Sequence, residues 1–329
     1  MILSRTPLRI SFFGGGTDYP EYFQHHAGTV IGMAIKKYVY ISCLKLEDFI
    51  DYRYRISYSQ IESVASVADI AHPVVRAVLE HYDIKDSLDI SIFSDLPARS
   101  GLGGSSAFTV GLLALIFALQ NKDTTRIDLG RSAIFTEREL LRENVGVQDQ
   151  MHAAFGGINK FTFSGAKIGI YPLQIAAHVL RELVDSLVLV YTGQTRSASD
   201  TLDEQMAATR ERRKDEELHH LARLADQAVD VLQGDDPHDT IRDFGAMMHE
   251  GWMTKKKLSS KVSSEAIDTL YDQAIAAGAV GGKLCGAGSG GFLLMVVPSH
   301  RMARFREAMS GYSLVSIDLD TQGSTIIRS

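Results

Sequence analysis

The stretch that most constrains this chain is Pro97-Ala-Arg-Ser-Gly-Leu-Gly-Gly-Ser-Ser-Ala107. A run with strand character, Leu88–Phe93, leads into it, and a strongly apolar helical run, Ala107–Leu119, leaves it. Glycines and serines therefore collect where a loop becomes the first turn of a helix. Backbone N–H groups there have no partner within the helix and face the positive end of its dipole. With no Cβ in the way, a phosphate can approach that backbone closely. Ser105 and Ser106 add hydroxyls for the anion or for a metal riding on it. The bland alternative is a flexible turn before a buried helix, and the rest of the chain decides between the two.

The chain's 329 residues exceed one comfortable core, which predicts two domains. A net charge of −6 offers no broad cationic surface, so nucleic acid is not an expected partner and any anion site must be local. Cys43 and Cys285 are the two cysteines, too few for a disulfide framework or a four-ligand zinc site. That fits a reducing cytoplasm. The N-terminal residues carry no signal-like apolar core, and the longest apolar run, Val110–Leu119, falls far short of the roughly 20 residues that span a bilayer. The expectation is a soluble cytoplasmic protein with no membrane partner.

In chain order, Leu3–Phe13 reads as a strand that stops at Gly14-Gly-Gly16, followed by Thr17 and Asp18. Such a loop can press its backbone on a ligand, with Asp18 accepting from donors such as sugar hydroxyls. Arg9 lies on the preceding strand, at a spacing that could bring its guanidinium near. The alternative is a plain hairpin turn with a solvated Asp. Val30–Ile35, Tyr38–Leu46 and Tyr52–Tyr58 read as strands, and His72–His81 as a helix. A helix over roughly Asp128–Arg142 carries Glu137, Arg138, Glu139 and Arg142 on its polar side, most of them a solvated face. In Gly146-Val-Gln-Asp-Gln-Met151, Asp149 could orient or deprotonate a hydroxyl, though an Asp so placed is also a common N-cap. Phe155–Phe161 returns to strand.

A domain boundary is expected near Leu173–Ala177, before the strand Leu187–Tyr191. Long helical stretches follow, with His249, Trp252 and Lys255–Lys257 on the one after Asp235-Asp-Pro237. The end reads strand Val280–Leu284, loop Cys285-Gly-Ala-Gly-Ser-Gly-Gly291, strand Phe292–Val297, helix Ala303–Met309, strand Leu314–Leu319. Gly286–Gly291 formally matches G-x-G-x-x-G, but a strand follows it where the dinucleotide fingerprint needs a helix. A Walker A loop is absent around Lys283, since Ala277 and Leu284 stand where Gly and Ser/Thr belong. What remains is a set of separate glycine-rich loops near the start, middle and end of the chain.

That pattern resembles the GHMP kinases, named for galactokinase, homoserine kinase, mevalonate kinase and phosphomevalonate kinase. Arg5–Tyr19 is similar to the family's first motif, Pro97–Ala107 to its second, and Lys283–Gly291 to its third, so the resemblance spans nearly the whole chain. It implies an α+β fold of two domains with the active site between them. These are an N-terminal ribosomal-protein-like ATP-binding domain (1–176) and a C-terminal ferredoxin-like domain (177–329). It also implies ATP as phosphoryl donor with Mg²⁺, and Asp149 as the catalytic carboxylate with Arg9 beside it. Pro97, Ser100, Gly101, Leu102, Gly103, Gly104, Ser105 and Ser106 form the phosphate loop, and Ser105 and Glu137 hold the metal. Gly15, Gly16, Thr17, Asp18, Gln150, Gly286, Ala287 and Gly288 are implied around the substrate. Gly104 replaces the usual first Ser of the second motif, and Cys285 and Ser289 depart from the third. Gly15-Gly16 replaces galactokinase's Glu-His, which argues against galactose.

Within the family, the Gly-Gly-Gly-Thr-Asp opening, Thr192-Gly-Gln-Thr-Arg196 and Leu284–Phe292 look most similar to bacterial D-glycero-D-manno-heptose 7-phosphate kinases. L-fucose and glucuronate kinases are neighbours. The resemblance implies phosphorylation of the anomeric hydroxyl of a sugar that already carries a phosphate. That phosphate needs a local cation, for which Arg196 is the candidate and Arg99 or Lys256 the reserves. With Arg9 adjacent, Asp149 should be held low, so it positions the acceptor more than it deprotonates it. An unphosphorylated-sugar kinase and a non-catalytic sugar and ATP sensor stay open as alternatives, as does a homodimer.

Overall fold

The computed structural model describes residues 1–47, 49–194, 199–288 and 290–328. The first half runs β1 (Ile2–Phe13), a one-turn α1 (Pro20–Phe23), β2 (Gly28–Lys45), β3 (Tyr54–Ser57), β4 (Ile61–Val64), α2 (Pro73–His81) and β5 (Leu88–Ser94). It continues with α3 (Gly104–Leu119), α4 (Arg126–Phe135), α5 (Gln148–Phe155), β6 (Ile158–Ser164) and β7 (Lys167–Pro172). The second half runs α6 (Ala177–Asp185), β8 (Leu187–Tyr191), α7 (Ser199–Arg210), α8 (Asp215–Leu232), α9 (Pro237–Lys255) and α10 (Glu265–Ala276). It closes with β9 (Gly281–Leu284), β10 (Phe292–Val296), α11 (Met302–Ala308), β11 (Leu314–Ser316) and β12 (Thr325–Arg328).

Among the described residues these strands make two sheets, one of eight strands in the path β12-β1-β2-β5-β3-β4, with β6 and β7 added beside β2. The stretches expected as two strands, Val30–Ile35 and Tyr38–Leu46, are the single strand β2. Across from β1, Pro7 pairs with Tyr38 and Leu8 with Ile35, so Lys36 and Lys37 bulge out of register. Pro7 has no N–H to give the ladder, and a bulge is where a sheet tolerates that. The smaller sheet is antiparallel in the order β11-β8-β10-β9. Numbered by their own sequence, its strands lie 4-1-3-2, the ferredoxin-like arrangement. The last strand, β12, returns to pair with β1, Ile2 facing Arg328.

The helix α3 is the axis of the larger half. Its Val110, Leu112, Leu113, Leu115 and Ile116 are fully buried. An all-round apolar helix of this kind has to be enclosed, here by β1, β2, α4 and α5. Gly111 lets it lie close on the sheet, because a Cβ there would stand 2.7 Å from Thr6 Oγ1.

The helix expected over Asp128–Arg142 ends as an α-helix at Phe135 and widens into a π turn over Thr136–Leu140. Such turns often mark functional sites. Glu137, read among a solvated charged face, is here only 1 % exposed. The return to strand comes at Ile158 rather than Phe155, since Gly156 and Gly157 at φ +68° and +76° break the backbone between α5 and β6.

The helix α9 crosses β9 with backbone nearly touching backbone. A Cβ on Gly281 would lie 1.8 Å from the Gly245 carbonyl oxygen. This crossing sets the last residue of α9, Lys255, and Lys283 of β9 against the same cavity. Gly281→Ala is expected to destabilise the protein by about 1–3 kcal/mol through overpacking. Denaturant unfolding checks this, and an unchanged midpoint would show that the crossing has slack.

Candidate active site

The three glycine loops converge. The second and third press backbone on backbone. At Gly101 (φ +77°) a Cβ would meet the Cys285 carbonyl oxygen at 2.5 Å, and at Gly286 (φ +74°) it would meet Gly101 Cα at 2.6 Å. Both positions need positive φ and no side chain, which only glycine supplies at little cost. Together with the first loop they wall a cavity of about 300 Å³.

Arg9, on β1, is 6 % exposed. Its Nε and Nη2 donate to the two Asp149 carboxylate oxygens at 2.7 and 2.6 Å, and its Nη1 donates to the Gly101 carbonyl at 2.8 Å. Its backbone N–H donates to the Leu102 carbonyl at 3.0 Å. Burial opposes the guanidinium charge, but the Asp149 carboxylate more than offsets it, so the group is held above its ordinary value. Val147 rather than Asp149 occupies the N-cap of α5, and Asp149 projects from the first turn into the cavity.

Asp18 is 1 % exposed and accepts from the backbone N–H of Gly16 at 3.1 Å and of Gln148 at 3.4 Å. Burial, reinforced by the Asp149 charge, pushes its carboxyl up. Gly146 explains itself here, because a Cβ would lie 2.0 Å from Asp18 Oδ2. The first motif and the Asp149 segment are thus fitted to each other. Glu137 accepts at Oε2 from the Ser106 hydroxyl at 2.9 Å and from the Gln150 amide, while its buried Oε1 has no hydrogen-bond partner. Burial raises its carboxyl to about 7.

Of the residues expected in the phosphate loop, Ser100, Gly101, Gly103, Gly104, Ser105 and Ser106 line the cavity. Leu102 is instead fully buried in the core, and Pro97 is exposed away from the cavity. Ser105 and Glu137, both expected to hold the metal, share no hydrogen bond with each other. It is Ser106, one residue on and about 100° around the helix, that donates to Glu137.

Gly15, Gly16, Asp18, Gly286, Ala287 and Gly288 line the cavity as expected of substrate contacts. Thr17 does not: its buried hydroxyl bonds the carbonyls of Gly14 and Thr29 and so shapes the loop. Gln150 does not either, since its position next to Asp149 turns it to Glu137. Arg196 lies outside the described residues. Of its reserves, Arg99 lines the cavity, while Lys256 points to Asp268 at 3.2 Å and over the Trp252 ring.

The sequence reading missed Ser11, Gln148, Gln205, Lys255 and Lys283 in the wall. Ser11 Oγ, Gln148 Oε1 and Gln205 Nε2 are buried without a protein partner, free to meet a ligand. Lys283 had one signal, a lone charge within the apolar strand Gly281–Leu284. Lys255 had none, as it opens the run Lys255–Lys257, whose members point about 100° apart.

Burial pushes Lys255 down to about 8 and Lys283 down to about 7, the latter also repelled by Lys255. Between pH 7 and 10.5 the unfolded chain therefore binds a proton at Lys283 that the native state does not. Native stability rises with pH across that window. Lys283→Met is expected to flatten the rise, read as the urea midpoint at pH 7, 8.5 and 10; parallel curves for the two proteins would contradict it.

Residues 69–157 match the GHMP kinases N terminal domain and residues 238–313 the GHMP kinases C terminal. The D-glycero-alpha-D-manno-heptose 7-phosphate kinase of Campylobacter jejuni subsp. jejuni serotype O:2 is 30 % identical over 309 residues, covering 90 % of this chain and 89 % of that protein. The bifunctional fucokinase/GDP-fucose pyrophosphorylase of Arabidopsis thaliana is 26 % identical over 91 % of this chain, which spans 30 % of that longer protein. A crystal structure of a D-glycero-D-manno-heptose 1-phosphate kinase from Bacteriodes thetaiotaomicron shares the fold, with a TM-score of 0.81 at 24 % identity, covering 100 % of this chain and 99 % of that one. Both family domains match in order and the expected glycine loops meet at one cavity: the chain belongs to the GHMP kinases.

Proposed function

We propose that the chain transfers the γ-phosphoryl group of ATP to the anomeric hydroxyl of D-glycero-D-manno-heptose 7-phosphate. The product is the 1,7-bisphosphate, a precursor of nucleotide-activated heptose for surface polysaccharide. As a sugar kinase of the GHMP type it is a phosphotransferase with an alcohol acceptor and ATP as donor. The observation that carries the reading is the bidentate Arg9–Asp149 pair, set in the cavity wall beside the phosphate loop. The choice of heptose phosphate is supported by the 30 % identity to the Campylobacter jejuni enzyme. Division of the chain at 176/177 and a cytoplasmic location belong to the same proposal.

Phosphoryl transfer asks the protein chiefly for positioning and for neutralising charge. In this reading the backbone N–H groups of Gly101–Ser106, at the N-terminus of α3, receive the ATP phosphates. Asp149 accepts a hydrogen bond from the acceptor hydroxyl and aims it at the γ-phosphorus; as the new O–P bond forms, the bond from the γ-phosphorus to the β,γ-bridging oxygen breaks, ADP leaves, and the hydroxyl proton passes to Asp149 late in the transfer. Arg9 holds that carboxylate in one orientation. Asp18 and the unpartnered Gln148 and Gln205 atoms receive the other sugar hydroxyls.

The residues present also fit Mg²⁺. Glu137 offers a buried carboxylate oxygen with no partner, and the Ser105 and Ser106 hydroxyls stand on the same turn. Mg²⁺ held there would neutralise the phosphate charge during transfer, and a divalent cation would return Glu137 to its ionised form.

Two measurements check the proposal. Asp149→Asn is expected to lower kcat by about 10²–10⁴-fold while ATP affinity stays within about twofold, and full turnover in that variant would sink the assignment. ATP consumption with Mg²⁺ is compared across heptose 7-phosphate, unphosphorylated heptose, mannose, galactose, fucose and glucuronate. Turnover confined to the 7-phosphate is expected, whereas equal turnover of the free sugars would shift the reading to a free-sugar kinase.

A further inference from the structure

We propose that Lys255 and Lys283, with the hydroxyl of Ser11, form the subsite for the phosphate that the acceptor brings with it. The proposal rests on the reading of the acceptor as a phosphorylated sugar. Both lysines line the cavity and are only 8 % and 7 % exposed. Among the described residues their hydrogen-bond partners are backbone carbonyls: Gly286 for Lys255, and Ser11 at 2.9 Å and Phe12 at 3.4 Å for Lys283. Neither is in an ion pair with a carboxylate of those residues.

Two lysines buried in one cavity wall, with Asp18 acting on both only from beyond ion-pair distance, are costly to keep charged, and a fold tolerates them when a ligand supplies the negative charge. Burial lowers the proton affinity of both, with repulsion from Arg9 adding at each and from Lys255 at Lys283, and a bound dianion would reverse that state. The Ser11 hydroxyl is buried, unpartnered and in the same wall, on the residue whose carbonyl holds Lys283. Arg9 is already engaged with both Asp149 oxygens and the Gly101 carbonyl, whereas the two lysines donate to backbone carbonyls alone. The ATP phosphates have their own donors in the backbone of the second loop. The charge on the third loop's side of the cavity is left for a different anion, a phosphate monoester.

The test compares wild-type protein with Lys255→Met and Lys283→Met, near-isosteric changes that remove a buried charge rather than create one. Steady-state kinetics are measured with heptose 7-phosphate, unphosphorylated heptose and ATP. Loss of one charge-assisted contact, about 1.5–3 kcal/mol, corresponds to a drop of roughly 10–100-fold in the preference for the 7-phosphate over the free sugar. The KM for ATP is expected to stay within about twofold. A rise in the ATP KM with the preference intact would overturn the proposal and give the lysines to the nucleotide. Absence of any preference in the wild type would instead remove the reading on which it rests.

A second measurement does not depend on the variants folding. Calorimetry of heptose 7-phosphate binding at pH 8, in two buffers of different ionisation enthalpy, is expected to show proton uptake as Lys283 regains its charge. The charged and titratable groups facing Lys283 are Lys255, Cys285, Arg9 and Asp18. Binding without proton uptake would overturn the proposal.

Discussion

The bidentate pair between Arg9 and Asp149 joins residues 140 positions apart and holds the rest of the site in register. Arg9 is an inward residue of β1, and Asp149 belongs to the first turn of α5. Because the same guanidinium also donates to Gly101, one side chain fixes the acceptor carboxylate relative to the phosphate loop. A point cation could neutralise Asp149 but could not span both partners, since the planar fork of arginine sets the geometry as well as the charge. Buried as it is, the pair would be costly if either member were left alone. It fixes Asp149 relative to the second glycine loop through a residue of the sheet rather than of a loop.

Around that pair, glycine does the work of bringing backbones together. Gly101 and Gly286 let the second and third loops touch, Gly146 makes room for Asp18, and Gly281 lets α9 lie on β9. Each contact joins segments far apart in sequence. A side chain at any of them would push apart two walls of the same cavity, so these glycines answer to packing as much as to ligand approach.

Glu137 lies behind the phosphate loop with an unpartnered oxygen, and Lys255 and Lys283 line the side formed by the second half of the chain. Each is pushed toward its neutral form by burial. A site so strained against its own charges is built for charged ligands. An ion bound there would restore what folding suppresses, which would link affinity to protonation.

The sequence alone determined the glycine-rich loops, the strand-to-helix context of the second one and the two-domain α+β class, and it singled out Arg9, Asp18 and Asp149, which line one cavity. These were legible because each depends on local chemistry: glycine where a backbone must be approached, a carboxylate beside it, an apolar run behind it. Tertiary structure alone decided which neighbours of those residues face the ligand. Gln150 turns to Glu137 while Gln148 lines the cavity, Ser106 rather than Ser105 reaches Glu137, and Lys255 rather than Lys256 enters the wall. Successive residues of a helix point about 100° apart, so a motif names the segment but not the face. The face is set by what the helix packs against, as where Gly245 meets Gly281. No stretch of sequence holds both sides of that contact.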